Sequence, residues 1–253
     1  LPDAGVAPTT VTALLHAAVL VKIGVYAYAR LFLYTFKIPE AWQQGVIILA
    51  VISSLIAAGG AAVENDIKRI LAYSTISQIG YIFLGLSVAN PTAVSGSLLY
   101  ILMHGLAKAG LFLCAGIVIH STNKRDIREM GGLIKTMPIT AISFLICAFS
   151  VIGLPPLGGF FSKLLVIMGT IQANQIWIAA LALFTAILTM YYLMRVFAQV
   201  FLGDLKIPAP EKTPSMVGVV TVLALFSVLA GFFVSYPMKL VQLATTHITW
   251  WLR

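Results

Sequence analysis

The sequence is short of charge, and shortest of negative charge. Charged residues make up 9% of its 253 positions, with eight Asp and Glu against sixteen Lys and Arg. So few charges cannot cover a soluble domain of this size. With 60% hydrophobic residues and a mean hydropathy of +1.00, the composition is that of an all-α, polytopic membrane protein. The apolar runs are long and continuous, whereas a membrane barrel shows weak alternation over about ten residues per strand. Cysteine is scarce too: Cys114 and Cys147 each stand alone in an apolar run. Without a Cys-x-x-Cys pair, iron–sulfur and zinc ligation have no support, and no cofactor is expected in the chain. A basic–aromatic platform is missing, so the net charge of +8 does not point to nucleic acid. The chain opens at Leu1-Pro2-Asp3-Ala4 without an initiator Met or a signal-type apolar region. It is expected to be the downstream part of something longer.

What is present is a set of about seven apolar segments able to cross a bilayer, near residues 10–34, 45–63, 70–88, 93–120, 137–172, 176–201 and 216–235. Residues 1–235 are therefore expected to form one transmembrane domain. Residues 236–253, with Trp250 and Trp251, are expected to form an interfacial or truncated C-terminal helix. The fifth segment is interrupted at about 153–159, by Gly153-Leu154-Pro155-Pro156-Leu157-Gly158-Gly159. Adjacent prolines remove two N–H donors and clash with the preceding turn, which predicts a discontinuous helix. Broken backbone at membrane depth is tolerated where protein buries it or where it lines a wet cavity. Seven spans place Lys68, Arg69, Lys124, Arg125, Arg128, Lys135, Lys206 and Lys212 on one side, and Lys37 and Lys239 on the other. The positive-inside rule then puts the Lys124–Lys135 loop in the cytoplasm, in a multi-pass protein of a prokaryotic inner membrane.

All eight acids fall in loops or at segment ends, while Lys22, Lys108 and Lys163 fall well inside segments. Each lysine at a helix centre costs about 2.5–3.5 kcal/mol on insertion scales. Three of them without a membrane carboxylate are hard to justify as structure alone. A buried lysine can be an ammonium or a neutral amine, whereas arginine stays charged. Histidine adds a second titratable type, and His104 and Lys108, four apart, share one helix face. Tyr100 lies one turn earlier on that face. His16 and Lys22 are six apart and face different neighbours. Ser74, Gln78 and Tyr81 form a stripe in the third segment. Tyr100, Ser74 and Gln78 either support a hydrated path or glue helices together. The histidines either belong to the path, sit as satisfied core residues, or bind haem axially. Arg195, near a segment end, is expected to snorkel. A substrate transporter can also use a broken helix, although the polar pocket or acids of such a site are not evident. The favoured reading is a proton path through Lys22, His16, His104, Lys108 and Lys163, with a scaffold bearing vestigial lysines as the bland rival.

Several stretches carry a family resemblance. They are Leu1-Pro2-Asp3-Ala4, His16-Ala17-Ala18, Met130-Gly131-Gly132-Leu133, Gly158-Gly159-Phe160-Phe161-Ser162-Lys163 and, most specific, the run from Asp66 to Tyr81, Asp-Ile-Lys-Arg-Ile-Leu-Ala-Tyr-Ser-Thr-Ile-Ser-Gln-Ile-Gly-Tyr. Together they resemble the antiporter-like, proton-translocating membrane subunits of respiratory complex I, Mrp-type antiporters and membrane-bound hydrogenases, over about residues 1–203. The resemblance implies two inverted helix repeats, each with a broken helix, of which this chain would hold the second. It places the outlet lysine at Lys163, the relay lysine and histidine at Lys108 and His104, and a further histidine at His16. Tyr100 stands where some members have a second histidine. The resemblance implies a proton-translocating subunit of an NADH:quinone oxidoreductase-like complex, with an Mrp-type Na+/H+ antiporter subunit as the alternative. The partners it implies are the lipid bilayer and other membrane subunits. Those subunits would carry the redox chemistry, and the transported ion would be H+ or Na+. The family's input half-channel, upstream of Leu-Pro-Asp-Ala, would be missing.

Overall fold

A computed structural model describes residues 20–36 and 38–246. Among them every regular element is helical. Helix α1 (Leu20–Ala29) runs into a π-helical stretch at Arg30–Thr35. It is followed by α2 (Glu40–Val63), α3 (Ile67–Ser87), α4 (Pro91–Thr122), α5 (Pro138–Ile152), α6 (Gly158–Gln172), α7 (Ile176–Phe201), α8 (Pro214–Phe232) and α9 (Ser235–Thr246). Five of these, α2, α3, α4, α7 and α8, are long and apolar enough to cross a membrane. The predicted discontinuous segment is α5 plus α6, with 15 residues in each. Each half is about 22 Å long at 1.5 Å per residue, short of a hydrocarbon core of about 30 Å. Only the two together are long enough to cross one. The first expected segment is described from Leu20 onward. His16, Lys37, Trp250 and Trp251 lie outside the described residues.

Two helix starts differ from expectation. Helix α3 begins at Ile67 because Asp66 caps it, accepting from the Lys68 and Arg69 backbone N–H groups at 2.8 and 3.1 Å. Lys68 and Arg69, expected in a loop, are therefore in its first turn. Helix α2 begins at Glu40, a carboxylate in its first turn, which favours that end of the helix dipole.

Burial ranks the helices. The apolar window of α3 is 83% buried and that of α4 is 67%, against 39%, 33% and 28% for α2, α7 and α8. Helices α3 and α4 thus form the centre, with α2 packed on α3 and the broken pair and α8 packed on α4. The apolar core is in two pieces. One gathers Leu71, Leu111, Phe144, Val151 and Tyr192; the other gathers Ile79, Tyr81, Tyr100, Met103 and Val166. Between them on α3 lie Ser74, Thr75, Ser77 and Gln78, and on α4 lies His104, all buried.

On the lysine-rich side the loops interlock. Ile67 N–H donates to the Arg125 carbonyl and Ile127 N–H to the Asn65 carbonyl, both at 3.0 Å. Glu211, in the linker before α8, accepts from both the backbone N–H and the hydroxyl of Thr140 at 2.9 Å. It thereby serves the exposed N–H groups at the start of α5.

Candidate functional site: a lysine–histidine seam at the broken helix

The di-proline builds the site. In a continuous helix the carbonyls of Val151 and Ile152 would accept from the N–H groups of residues 155 and 156; both are prolines and have none. Side chains from elsewhere take those carbonyls instead. The Tyr100 hydroxyl donates to Val151 O at 3.3 Å and to Gln78 Oε1 at 2.6 Å, and Lys163 Nζ donates to Ile152 O at 3.3 Å. Helix α5 ends at Gly153, whose φ of +90° suits glycine. A Cβ there would come 3.1 Å from Lys163 Cδ. The lysine stem runs back toward the start of its own helix, as long helical side chains do, and passes over this gap.

Lys163 is 4% exposed and, among the described residues, has no carboxylate partner. Its amine lies 4.8 Å from the ring centre of Tyr81 and 5.6 Å from that of Tyr100. A hydrogen bond to a charged group contributes about 1.5–3 kcal/mol, and each cation–π contact roughly 0.5–2 kcal/mol. Together these match the insertion cost of about 2.5–3.5 kcal/mol. An ammonium can be held here without an acid.

Lys108, fully buried on α4, is less well served. Its amine donates to Leu71 O at 3.2 Å, a carbonyl that also accepts the Thr75 hydroxyl at 2.9 Å. One turn before it, His104 is 1% exposed, and neither ring nitrogen has a hydrogen-bond partner among the described residues. The charges of Lys108, Lys22 and Lys163 all reach this imidazole. Lys22 is only half-buried, less than the sequence suggests. Its amine lies directly against Gly105, where a Cβ would collide with it.

Ser74 and Gln78 belong to one network, which both joins helices and borders the seam. The Ser74 and Tyr192 hydroxyls are 2.7 Å apart, and Gln78 Nε2 donates to Thr189 at 3.0 Å while its Oε1 accepts from Tyr100. Tyr81 donates its hydroxyl to the Ala182 carbonyl. Tyr192, Thr189 and Gly105 carry no signal in the sequence; hydroxyls and glycines in an apolar helix are too common to stand out. Arg195, expected to snorkel, has protein partners near the end of its segment. Its guanidinium donates to the carbonyls of Ala62 and Glu64 at 2.5 and 3.0 Å and to Asn65 Oδ1 at 2.5 Å, closing the C-terminal end of α2. Four of the five path residues are thus described, and Lys22, His104, Lys108 and Lys163 come together. His16 lies outside the described residues.

Residues 1–189 match the family described as NADH:quinone oxidoreductase/Mrp antiporter, TM, and the chain belongs to it. Among curated relatives, it is 39% identical over 207 residues to a Na(+)/H(+) antiporter subunit of Alkalihalophilus pseudofirmus, covering 81% of this chain and 42% of that one. It is 37% identical over 246 residues to the NADH-quinone oxidoreductase subunit L of Rickettsia typhi, covering 95% of this chain and 37% of that one. Among solved structures it superposes on a chain of the membrane-bound sulfane sulfur reductase, an archaeal respiratory membrane complex, with a TM-score of 0.90 and 29% identity, covering 98% of this chain and 51% of that one. The chain spans about two fifths of the length of the curated relatives it matches. It is an integral membrane protein of the antiporter-like class.

Proposed function

We propose that this chain carries the outlet end of the proton path in a proton-translocating subunit of an NADH:quinone oxidoreductase-like membrane complex. The observation that carries the reading is His104, a buried imidazole whose two nitrogens have no partner among the described residues, with Lys22, Lys108 and Lys163 near enough to act on it electrostatically. A proton arriving at Lys22 passes to a free ring nitrogen of His104, then to Lys108, and from there to Lys163. Like charges repel across this low-dielectric seam, so each arrival drives the next proton on. The step from Lys108 to Lys163 runs toward the amine with more partners: a freed carbonyl and two ring faces at Lys163 against one shared carbonyl at Lys108. His16 is assigned to the same path, grouped with Lys22 at its start. Ser74, Gln78 and Tyr100 support it by holding α3, α4, α5 and α7 in register. The lysine-rich loops, with Lys124–Lys135, face the cytoplasm of a prokaryotic cell, and other membrane subunits supply any redox chemistry.

In the assembled complex, Lys163→Ala is expected to abolish proton translocation while the complex still assembles. Undiminished proton transfer by an assembled variant overturns the reading. A second reading, an Mrp-type Na+/H+ antiporter subunit, rests on the 39% identity to the Alkalihalophilus pseudofirmus antiporter protein. It predicts that the complete assembly restores growth of a sodium-sensitive host in high sodium at alkaline pH, without a redox substrate.

A further inference from the structure

Tyr81 and Tyr100 attract notice because their ring faces, rather than their hydroxyls, meet the lysine. The Tyr100 hydroxyl is committed to Gln78 and Val151, and the Tyr81 hydroxyl to the Ala182 carbonyl. Neither is aimed at Lys163, whose amine lies 4.8 and 5.6 Å from the two ring centres. The rings stand 6.5 Å apart at 69° to each other, two walls of a corner. Both are almost wholly buried, at 1% and 0% exposure. Ring faces carry negative charge and rank with carbonyls as partners for a desolvated ammonium.

We propose that Tyr81 and Tyr100 are positioning residues that form an aromatic corner holding the protonated form of Lys163, and so set the alkaline limit at which that lysine still carries a proton. Tyr100 therefore acts through its ring and is not a hydroxyl relay. This rests on Lys163 being the outlet lysine of the proposed path. The other titratable groups facing it are His104 and Lys108 on α4, and Tyr192 on α7 through Gln78. Helix α5 brings only Cys147, packed against Gly110, and α8 brings none. Among the described residues no Asp or Glu is buried, so the rings are the one negative surface there besides backbone and amide carbonyl oxygens.

The test uses the assembled complex in vesicles, with proton translocation measured as a function of pH. Tyr81→Leu and Tyr100→Leu are each expected to move the alkaline limit down by about one pH unit, tenfold in proton affinity. Tyr81→Phe and Tyr100→Phe keep the ring face and are expected to keep the wild-type limit, whatever their rate. Progressively fluorinated phenylalanines at position 81 preserve shape while draining charge from the ring face. They are expected to lower the limit in graded steps, even if the leucine variants fail to assemble. An unchanged limit across the fluorinated series, or a Phe variant shifted as far as its Leu counterpart, overturns the proposal. Lys163→Ala in the same assay separates the two ideas. If it stops translocation while the fluorinated series leaves the limit unmoved, the outlet lysine stands and the aromatic corner falls. If it leaves translocation intact, the path itself falls.

Discussion

Gly105 on α4 leaves the space that the amine of Lys22 on α1 occupies; a methyl group at 105 and that amine cannot coexist as placed. The amine is the far end of a flexible side chain, so it gives way at little cost in stability but leaves its place. Gly105→Ala is therefore expected to lower translocation several-fold by displacing Lys22 from beside His104. Lys22→Met removes the amine by itself, and the double variant is expected to lose little more than the worse single one. A double-mutant cycle on transport rates checks this. Additive losses would mean that the two positions act independently.

The second expectation concerns the two prolines. Replacing Pro155 and Pro156 by alanine returns two N–H donors that compete for the Val151 and Ile152 carbonyls. Each proline removed from a helix interior favours the helix by about 3 kcal/mol. The double variant is expected to assemble normally and to translocate at least about tenfold more slowly, because the Tyr100 hydroxyl and Lys163 amine lose their partners to the backbone. Transport per assembled complex is the measurement.

Arg195 gives a stability test. Its three hydrogen bonds close the end of α2, and bonds to a charged donor contribute about 1.5–3 kcal/mol each at most. Arg195→Ala is expected to lower the thermal midpoint in detergent by several degrees. A snorkelling arginine would leave the midpoint almost unmoved.

Outside the membrane, Asp126 accepts from the Arg128 side chain at 2.6–3.1 Å and from its backbone N–H at 2.9 Å, which holds the carboxyl down to about 2. A carboxylate depressed in this way contributes its order fully above the ordinary carboxylate range of about 3.9. The contribution is lost as pH falls through about 2. The amide shift of 15N-labelled Arg128 is expected to titrate near pH 2 in the wild type and to stay flat in Asp126→Asn.

The charged part of this site is legible in the sequence and the neutral part is hidden. Lys108, Lys163 and the break announce themselves because charge and proline are expensive in hydrocarbon. The spacing of His104 and Lys108 sets their common face. Nothing in the sequence says that Tyr100 turns a ring to Lys163 and its hydroxyl to Val151, since both follow from how α4 meets α5. The partners of Arg195 are hidden in the sequence because they are backbone carbonyls 130 or more positions away, which no local pattern marks. Hydropathy starts α3 too late because Lys68 and Arg69 weigh against a span, although Asp66 just ahead of them is an ordinary helix cap.

The divided core has a mechanical meaning. A single apolar mass resists water at its centre because wetting any part of it disrupts the whole. Here each apolar cluster closes on itself at its own end of the bundle, and the hydroxyls, amide and imidazole between them form a waist. Water entering that layer would meet polar groups and leave the packed cluster on either side intact.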